Sequence, residues 1–130
     1  MVVGLILREE GGIFLMKNLL LISKDSEVVD LVSRVAVRSG VELVAQDMTA
    51  EATKVIREEP VNLVVLDLAP RAQSLAYLEE IKNWLGSIPV IALTDLEDQM
   101  AGTLAYAKGA DETIKKPLSE HTVERIFEKL

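Results

Sequence analysis

The run Val61-Asn62-Leu63-Val64-Val65-Leu66-Asp67 carries four apolar residues, Leu63 to Leu66, straight into a carboxylate, and Leu68-Ala69-Pro70-Arg71 follows as a loop. A short apolar run without alternation reads as a strand buried on both faces, the pattern of a parallel sheet covered by helices. Open sheets of that kind place their sites outside the carboxyl ends of the strands. A strand that delivers an acid to that end is therefore a fold signal and a candidate site at once. Two more fragments fit the same edge: Pro89-Val90-Ile91-Ala92-Leu93-Thr94 and Gly109-Ala110-Asp111-Glu112-Thr113-Ile114-Lys115-Lys116-Pro117.

On either side of this run, short apolar stretches alternate with helical spacing. Asn18 to Ile22 reads as a first buried strand, and Val28, Leu31, Val32 and Val35 follow at helical intervals up to Gly40. Val41 to Ala45 is a second strand. Thr49 can cap a helix carrying Ala52, Val55 and Ile56, ended by Pro60. After the Asp67 strand, Leu75, Leu78, Ile81, Lys82 and Leu85 mark a third helix, stopped at Gly86. Ile88 to Leu93 is the fourth strand, and Met100, Ala101, Leu104 and Ala105 mark a fourth helix ending at Gly109. Glu112 to Lys115 is a short fifth strand, and Ser119 can cap a last helix with Val123, Ile126, Phe127 and Leu130. Five βα units in a row predict an α/β fold with a doubly wound, five-stranded parallel sheet and right-handed crossovers. There is no repeat and no linker. Ending at the fifth helix, the chain is expected to stand alone, without an output domain.

At 130 residues the chain is one domain, and at 49% hydrophobic it can bury a core. A net charge of -7 argues against nucleic-acid partners and anionic membranes. With no cysteine there is no disulfide framework or thiolate metal site, which suits a cytoplasmic setting. No apolar run reaches the roughly 18 residues a membrane span needs. There is no Gly-rich phosphate loop, Zn-type spacing or nucleophile elbow.

Residues 1–17 form an extension before the domain proper, 18–130. Gly4-Leu5-Ile6-Leu7 and Ile13-Phe14-Leu15-Met16 flank Glu9-Glu10-Gly11-Gly12, which reads as a β-hairpin. Equally, Glu9-Glu10-Gly11-Gly12 can be encoded by a purine-rich stretch like a ribosome-binding site ahead of Met16-Lys17-Asn18, which would make residues 1–15 a translated leader upstream of a natural start. If ordered, the segment is expected to pack on a sheet edge or on a second molecule, so a homodimer is an open expectation.

Leu-Leu-Leu-Ile, then Val-Val-Leu-Asp, then Pro-Val-Ile-Ala-Leu-Thr, then Gly-Ala-Asp through Lys-Lys-Pro, taken in that order over residues 18–130, resembles the receiver domain of bacterial two-component response regulators. The resemblance implies a flavodoxin-like sheet of strand order 2-1-3-4-5 and a role in phosphorelay signalling rather than as an enzyme. It implies that Asp67 is the acceptor of a phosphoryl group from a histidine kinase, that Thr94 is the switch hydroxyl, and that Lys116 binds the phosphate. Such an acyl phosphate needs cationic neutralisation, which Lys116 can supply as a point charge. A hydrogen bond from Thr94 would draw its loop inward.

The resemblance also implies Mg²⁺ on a pair of acids ending the first strand, and there this chain departs from it. Ser23-Lys24 stand in their place, with Asp25 one position later. Lys24 is expected to pair with Asp67 and favour its charged form. Counting Asp67, Lys24 and Lys116, with Asp25 uncertain, the site carries roughly +1 to 0, too little negative charge to concentrate a divalent cation. No cofactor is expected, with Asp25 and Asp67 as weak metal candidates should Mg²⁺ bind at all. The loop after Asp67 is short, Ser74 holds a glycine position, Asp95 replaces a small residue and would repel a phosphoryl donor, and Thr113 replaces the switch aromatic. Together these predict a degenerate, pseudo-receiver domain that works through protein–protein contacts.

Other readings stand beside these. Thr94 and Asp95 can cap the fourth helix. Asp25 and Ser26 can be first-turn helix residues favoured by the dipole. Lys116-Pro117 can simply end a strand. His121, Trp84 and Tyr106 read as solvated or packing residues. In place of signalling, the same sheet edge can serve a flavodoxin-like small-molecule-binding or catalytic domain.

Overall fold

The structure, a computed structural model, describes residues 5–7, 13–15, 18–46, 54, 56–58, 60–84 and 86–130. In chain order the elements are β1 (Leu5–Leu7), β2 (Ile13–Leu15), β3 (Asn18–Ile22), α1 (Ser26–Ser39), β4 (Glu42–Gln46), β5 (Leu63–Asp67), α2 (Arg71–Trp84), β6 (Val90–Thr94), α3 (Ala101–Ala107), β7 (Glu112–Lys115) and α4 (Glu120–Phe127). Residues 54 and 56–58 are also helical, while Thr49, Ala52, Val55 and Leu85 lie outside the described residues.

Five strands pair in the order β4-β3-β5-β6-β7, all parallel, so the expected 2-1-3-4-5 sheet is formed. Every residue of β3, β5 and β6 is buried, which is why those segments read as unbroken apolar runs. Alternate residues serve opposite faces. Leu20, Ile22, Val64, Leu66, Val90 and Ala92 pack in one cluster with Leu78 and Ile81 of α2 and with Ala101 and Ala105 of α3. Leu19, Leu21, Leu63, Val65, Ile91 and Leu93 pack in the other with α1 and α4, through Val28, Val32, Val35, Val123 and Ile126. The outermost strand β7 is only partly buried.

Helix ends follow local chemistry. Asp25 caps α1, its carboxylate accepting from the Glu27 and Val28 amides, and Gly40 ends the helix at φ 70°, a conformation glycine adopts without strain. Ser119 caps α4 by accepting from the Thr122 amide, as expected. At α3 the outcome differs from expectation. The Asp98 carboxylate, not Thr94 or Asp95, accepts from the Met100 and Ala101 amides. Thr94 is held inside the sheet and Asp95 faces Lys116, so neither is available as a cap. Met100 also departs from its helical reading: it precedes α3 and is 57% exposed.

The N-terminal strands pair antiparallel with Leu5 opposite Leu15, Ile6 opposite Phe14 and Leu7 opposite Ile13. They make a separate two-stranded sheet and are not hydrogen-bonded into the edge of the five-stranded one. The Glu9–Gly12 turn falls outside the described residues. No helix among the described residues is long and apolar enough to cross a membrane.

Candidate functional site

All carboxyl ends of a parallel sheet lie on one side, so the register alone gathers the candidates. Asp67 of β5 stands opposite Leu93 of β6, and Thr94 opposite Lys115 of β7. The Lys116 amide donates to the Thr94 carbonyl at 2.8 Å, so the lysine leaves the sheet beside the end of β6.

Lys116 is the centre of the cluster. Its Nζ is 3.0 Å from Asp67 Oδ1 and 3.0 Å from Oδ2. The same nitrogen is 3.1 Å from Asp95 Oδ1 and 3.4 Å from Asp25 Oδ2. Asp67 is the buried partner, its side chain 2% exposed against 12% for Lys116, while Asp25 and Asp95 are at 36% and 58%. Burial alone would lower the Lys116 pKa. Hydrogen bonds and charge from Asp67, and then from Asp95, outweigh it and hold the ammonium above its ordinary 10.5.

Ser23 contributes more than a missing acid. Its hydroxyl donates to Asp67 Oδ2 at 2.8 Å and accepts from the Asp25 amide at 3.0 Å. Both oxygens of Asp67 are thereby occupied, Oδ1 by Lys116 and Oδ2 by Lys116 and Ser23. The sequence marked Ser23 as a departure and gave no sign of this bond. A serine at the end of a buried strand, level with an acid two strands along the chain, is the signal that was available.

Three expectations are corrected here. Lys24 does not reach Asp67. Its side chain is exposed and forms no ion pair among the described residues, because Ser23 occupies the inward position at the end of β3 and Lys24 follows on the solvent side. The near-neutral charge count also fails. Asp25 and Asp95 both join Asp67 on Lys116, so three carboxylates surround one ammonium, a sum of -2. Finally, Asp95 is not a bare repelling charge, because its carboxylate is already paired with Lys116.

Nearby residues complete the edge. Ser74 of α2 is 1% exposed, and its hydroxyl has no hydrogen-bond partner among the described residues. It borders a small cavity shared with Ser23, Lys24, Asp67 and Pro70. Thr113 is half-buried, and its amide donates to the hydroxyl of Tyr106 at 3.2 Å, so an aromatic ring from α3 stands beside the position where the strand lacks one. Arg71 at the start of α2 pairs with Asp98 at 2.8 Å, tying the loop after β5 to the loop after β6. His121 is exposed, and Trp84 lies under the Arg57 guanidinium at 5.0 Å. Among the described residues, no group of three or more His, Asp or Glu side chains is disposed to hold a metal ion.

The family model for the response regulator receiver domain matches residues 19–128. The alkaline phosphatase synthesis transcriptional regulatory protein PhoP of Bacillus subtilis is 25% identical over 108 residues, covering 82% of this chain and 45% of that protein. The transcriptional regulatory protein CrdR of Helicobacter pylori is 31% identical over 117 residues, covering 85% of this chain and 55% of that protein. This chain therefore spans about half the length of these curated relatives. In fold it is similar to a response regulator from Thermotoga maritima, with a TM-score of 0.78 at 20% identity, over 88% of this chain and 98% of that one.

Proposed function

We propose that this chain, which belongs to the response regulator receiver family, serves bacterial two-component signalling through protein–protein contacts, with Asp67 a weak or inactive phosphoryl acceptor and no resident metal. Its partners are then histidine kinases or other signalling proteins. The observation that carries this reading is the double engagement of Asp67 by Lys116 and Ser23. A nucleophilic carboxylate must present a free lone pair to the phosphorus. Here Oδ1 accepts from the ammonium and Oδ2 from both the ammonium and the Ser23 hydroxyl, and three donors on one carboxylate lower its nucleophilicity.

The donor set also fits Mg²⁺ poorly. That ion requires octahedral oxygens at about 2.0–2.1 Å and is held through carboxylates. At the end of β3 this chain offers a hydroxyl and an exposed lysine. The point where Asp25, Asp67 and Asp95 converge is taken by the Lys116 ammonium. One oxygen of Asp25 is committed to capping α1. A flavodoxin-like small-molecule role gains no support, because the turn Ser23-Lys24-Asp25-Ser26 has no glycine to bring backbone amides to a phosphate.

The test is a calorimetric Mg²⁺ titration and acetyl phosphate labelling of the wild type and of the Ser23→Asp/Lys24→Asp variant. The wild type is expected to bind Mg²⁺ at least tenfold more weakly than the variant and to label poorly. Equal binding, or Mg²⁺-dependent labelling of wild-type Asp67, would overturn the reading.

A further inference from the structure

Ser74 is a buried polar group that the pairing around Asp67 leaves over. It stands in the first turn of α2, 1% exposed, and its hydroxyl has no hydrogen-bond partner among the described residues. A helical serine ordinarily turns its hydroxyl to solvent or back to the carbonyl four residues earlier. Solvent is out of reach of this one, and the Pro70 carbonyl accepts the Ser74 amide at 3.0 Å instead. Buried hydroxyls in folded proteins are paired, with protein or with ordered water, because an orphan is costly. The cavity beside Ser74 is ≈ 10 Å³, and Ser23, Lys24, Asp67 and Pro70 help to line it. That is about the room one water needs, and too little for a larger molecule.

Asp67 faces the same space with one acceptor place to fill. A carboxylate has about four lone-pair sites. Lys116 takes one on each oxygen and Ser23 takes a second on Oδ2, which leaves one on Oδ1. An orphan donor and an open acceptor therefore border one water-sized cavity. We propose that the cavity is a binding site for a single water, which accepts from the Ser74 hydroxyl and donates to Asp67 Oδ1. Its other hydrogen goes to the second lone pair of the Pro70 carbonyl, so the water has the two to four partners that a buried water requires. A metal cation suits the place less well, with Lys24 on the rim and the Lys116 ammonium already on Asp67. Ser74 is then a positioning residue. Through the water it gives Asp67 a fourth donor and ties α2 to the end of β5. The resemblance implies glycine at this position, which has no hydroxyl to hold the water. This deepens the weak-acceptor reading above and rests on it, since a fourth donor lowers the nucleophilicity of the carboxylate further.

The experiment is a high-resolution crystal structure of the full chain, paired with oxygen-17 relaxation dispersion, which counts long-lived buried waters in solution. A water is expected at about 2.5–3.0 Å from both Ser74 Oγ and Asp67 Oδ1. Ser74→Ala should fold, since alanine is the best helix former, and should show one long-lived water fewer. With Asp67 labelled by carbon-13 at Cγ, the shift of its resonance between H₂O and D₂O should shrink in Ser74→Ala. Gln73→Ala, at the exposed neighbouring position, should change neither readout. An empty cavity, a water retained in Ser74→Ala, a Ser74 hydroxyl bonded directly to protein, or an unchanged Asp67 isotope shift would each overturn the proposal. So would a site that empties when sodium salts are exchanged for tetramethylammonium salts, which marks a metal cation. Mg²⁺-dependent labelling of Asp67 would instead overturn the reading beneath it, and that assay counts no water.

Discussion

Replacing Lys116 by methionine removes the ammonium and keeps the length of the side chain, which isolates the electrostatic role of the cluster. The buried pair dominates the cost. Asp67 is 2% exposed and Lys116 12%, and removing one partner of a buried pair costs about 3–5 kcal/mol, because the other charge is left uncompensated. The pairs with Asp25 and Asp95, at 36% and 58% exposure, add only about 0–1 kcal/mol each. The Ser23 hydroxyl still donates to Asp67, so that bond is not lost. Urea unfolding should show the effect directly. With a slope of about 2 kcal/mol per molar urea, a 3–5 kcal/mol loss moves the midpoint down by about 1.5–2.5 M. The double variant Lys116→Met/Asp67→Leu should recover much of the loss, since apolar replacement of a whole buried pair is often neutral. The pH dependence has a definite sign. The Lys116 pKa is raised above 10.5 in the folded chain, so its contribution is complete below that value and is lost as pH rises through the folded one. The stability gap between wild type and Lys116→Met should therefore be constant through neutral pH and narrow only above pH 10.5. A single-variant cost under about 1 kcal/mol, or a double variant less stable than the single, would refute the argument that a buried pair organises the site.

Ser23→Ala should cost about 1.5–3 kcal/mol in the same assay, because Asp67 loses a 2.8 Å bond to a charged oxygen; a neutral result means the hydroxyl does not serve Asp67. Asp111 is held below its ordinary 3.8: burial opposes this, but the Val90 amide and Lys82 prevail. Its contribution is present above 3.8 and fades as pH falls through the lower folded value, so the stability gap to Asp111→Asn should close in strong acid, and a gap that persists there contradicts the assignment. Leu78→Ala should cost about 2–5 kcal/mol by calorimetry, since this α2 side chain is 0% exposed and packs in the cluster with Val64 and Leu66 of β5; a loss below 1 kcal/mol would mean that the face relaxes around the cavity.

Much of the molecule was legible in the chain. Unbroken apolar runs such as Leu63–Leu66 fit a strand covered on both faces, and three such runs with two further short strands, all separated by helical spacing, admit few arrangements other than a doubly wound sheet. Because parallel strands end on one side, an acid, a hydroxyl and a lysine after three strands were bound to meet at one edge. What the chain left open was which partners those groups choose. Lys24 and Lys116 are the same residue type, and the place of Lys24 directly after β3, where the resemblance implies metal-binding acids, favoured Lys24. Lys116 takes Asp67 instead, from 49 residues away. Alternation turns Ser23 inward and Lys24 to solvent, whereas the carbonyl of Thr94 fixes the Lys116 backbone beside the pocket. The same holds for Asp25 and Asp95, read as a helix residue and a repelling charge, and for Asp98, which no spacing marked as the cap of α3. Periodicity records which face of an element is buried, because burial depends on the chain's own repeat. The pairing of charges depends on distances of a few ångströms between separate elements, and only the packed sheet and its loops determine those.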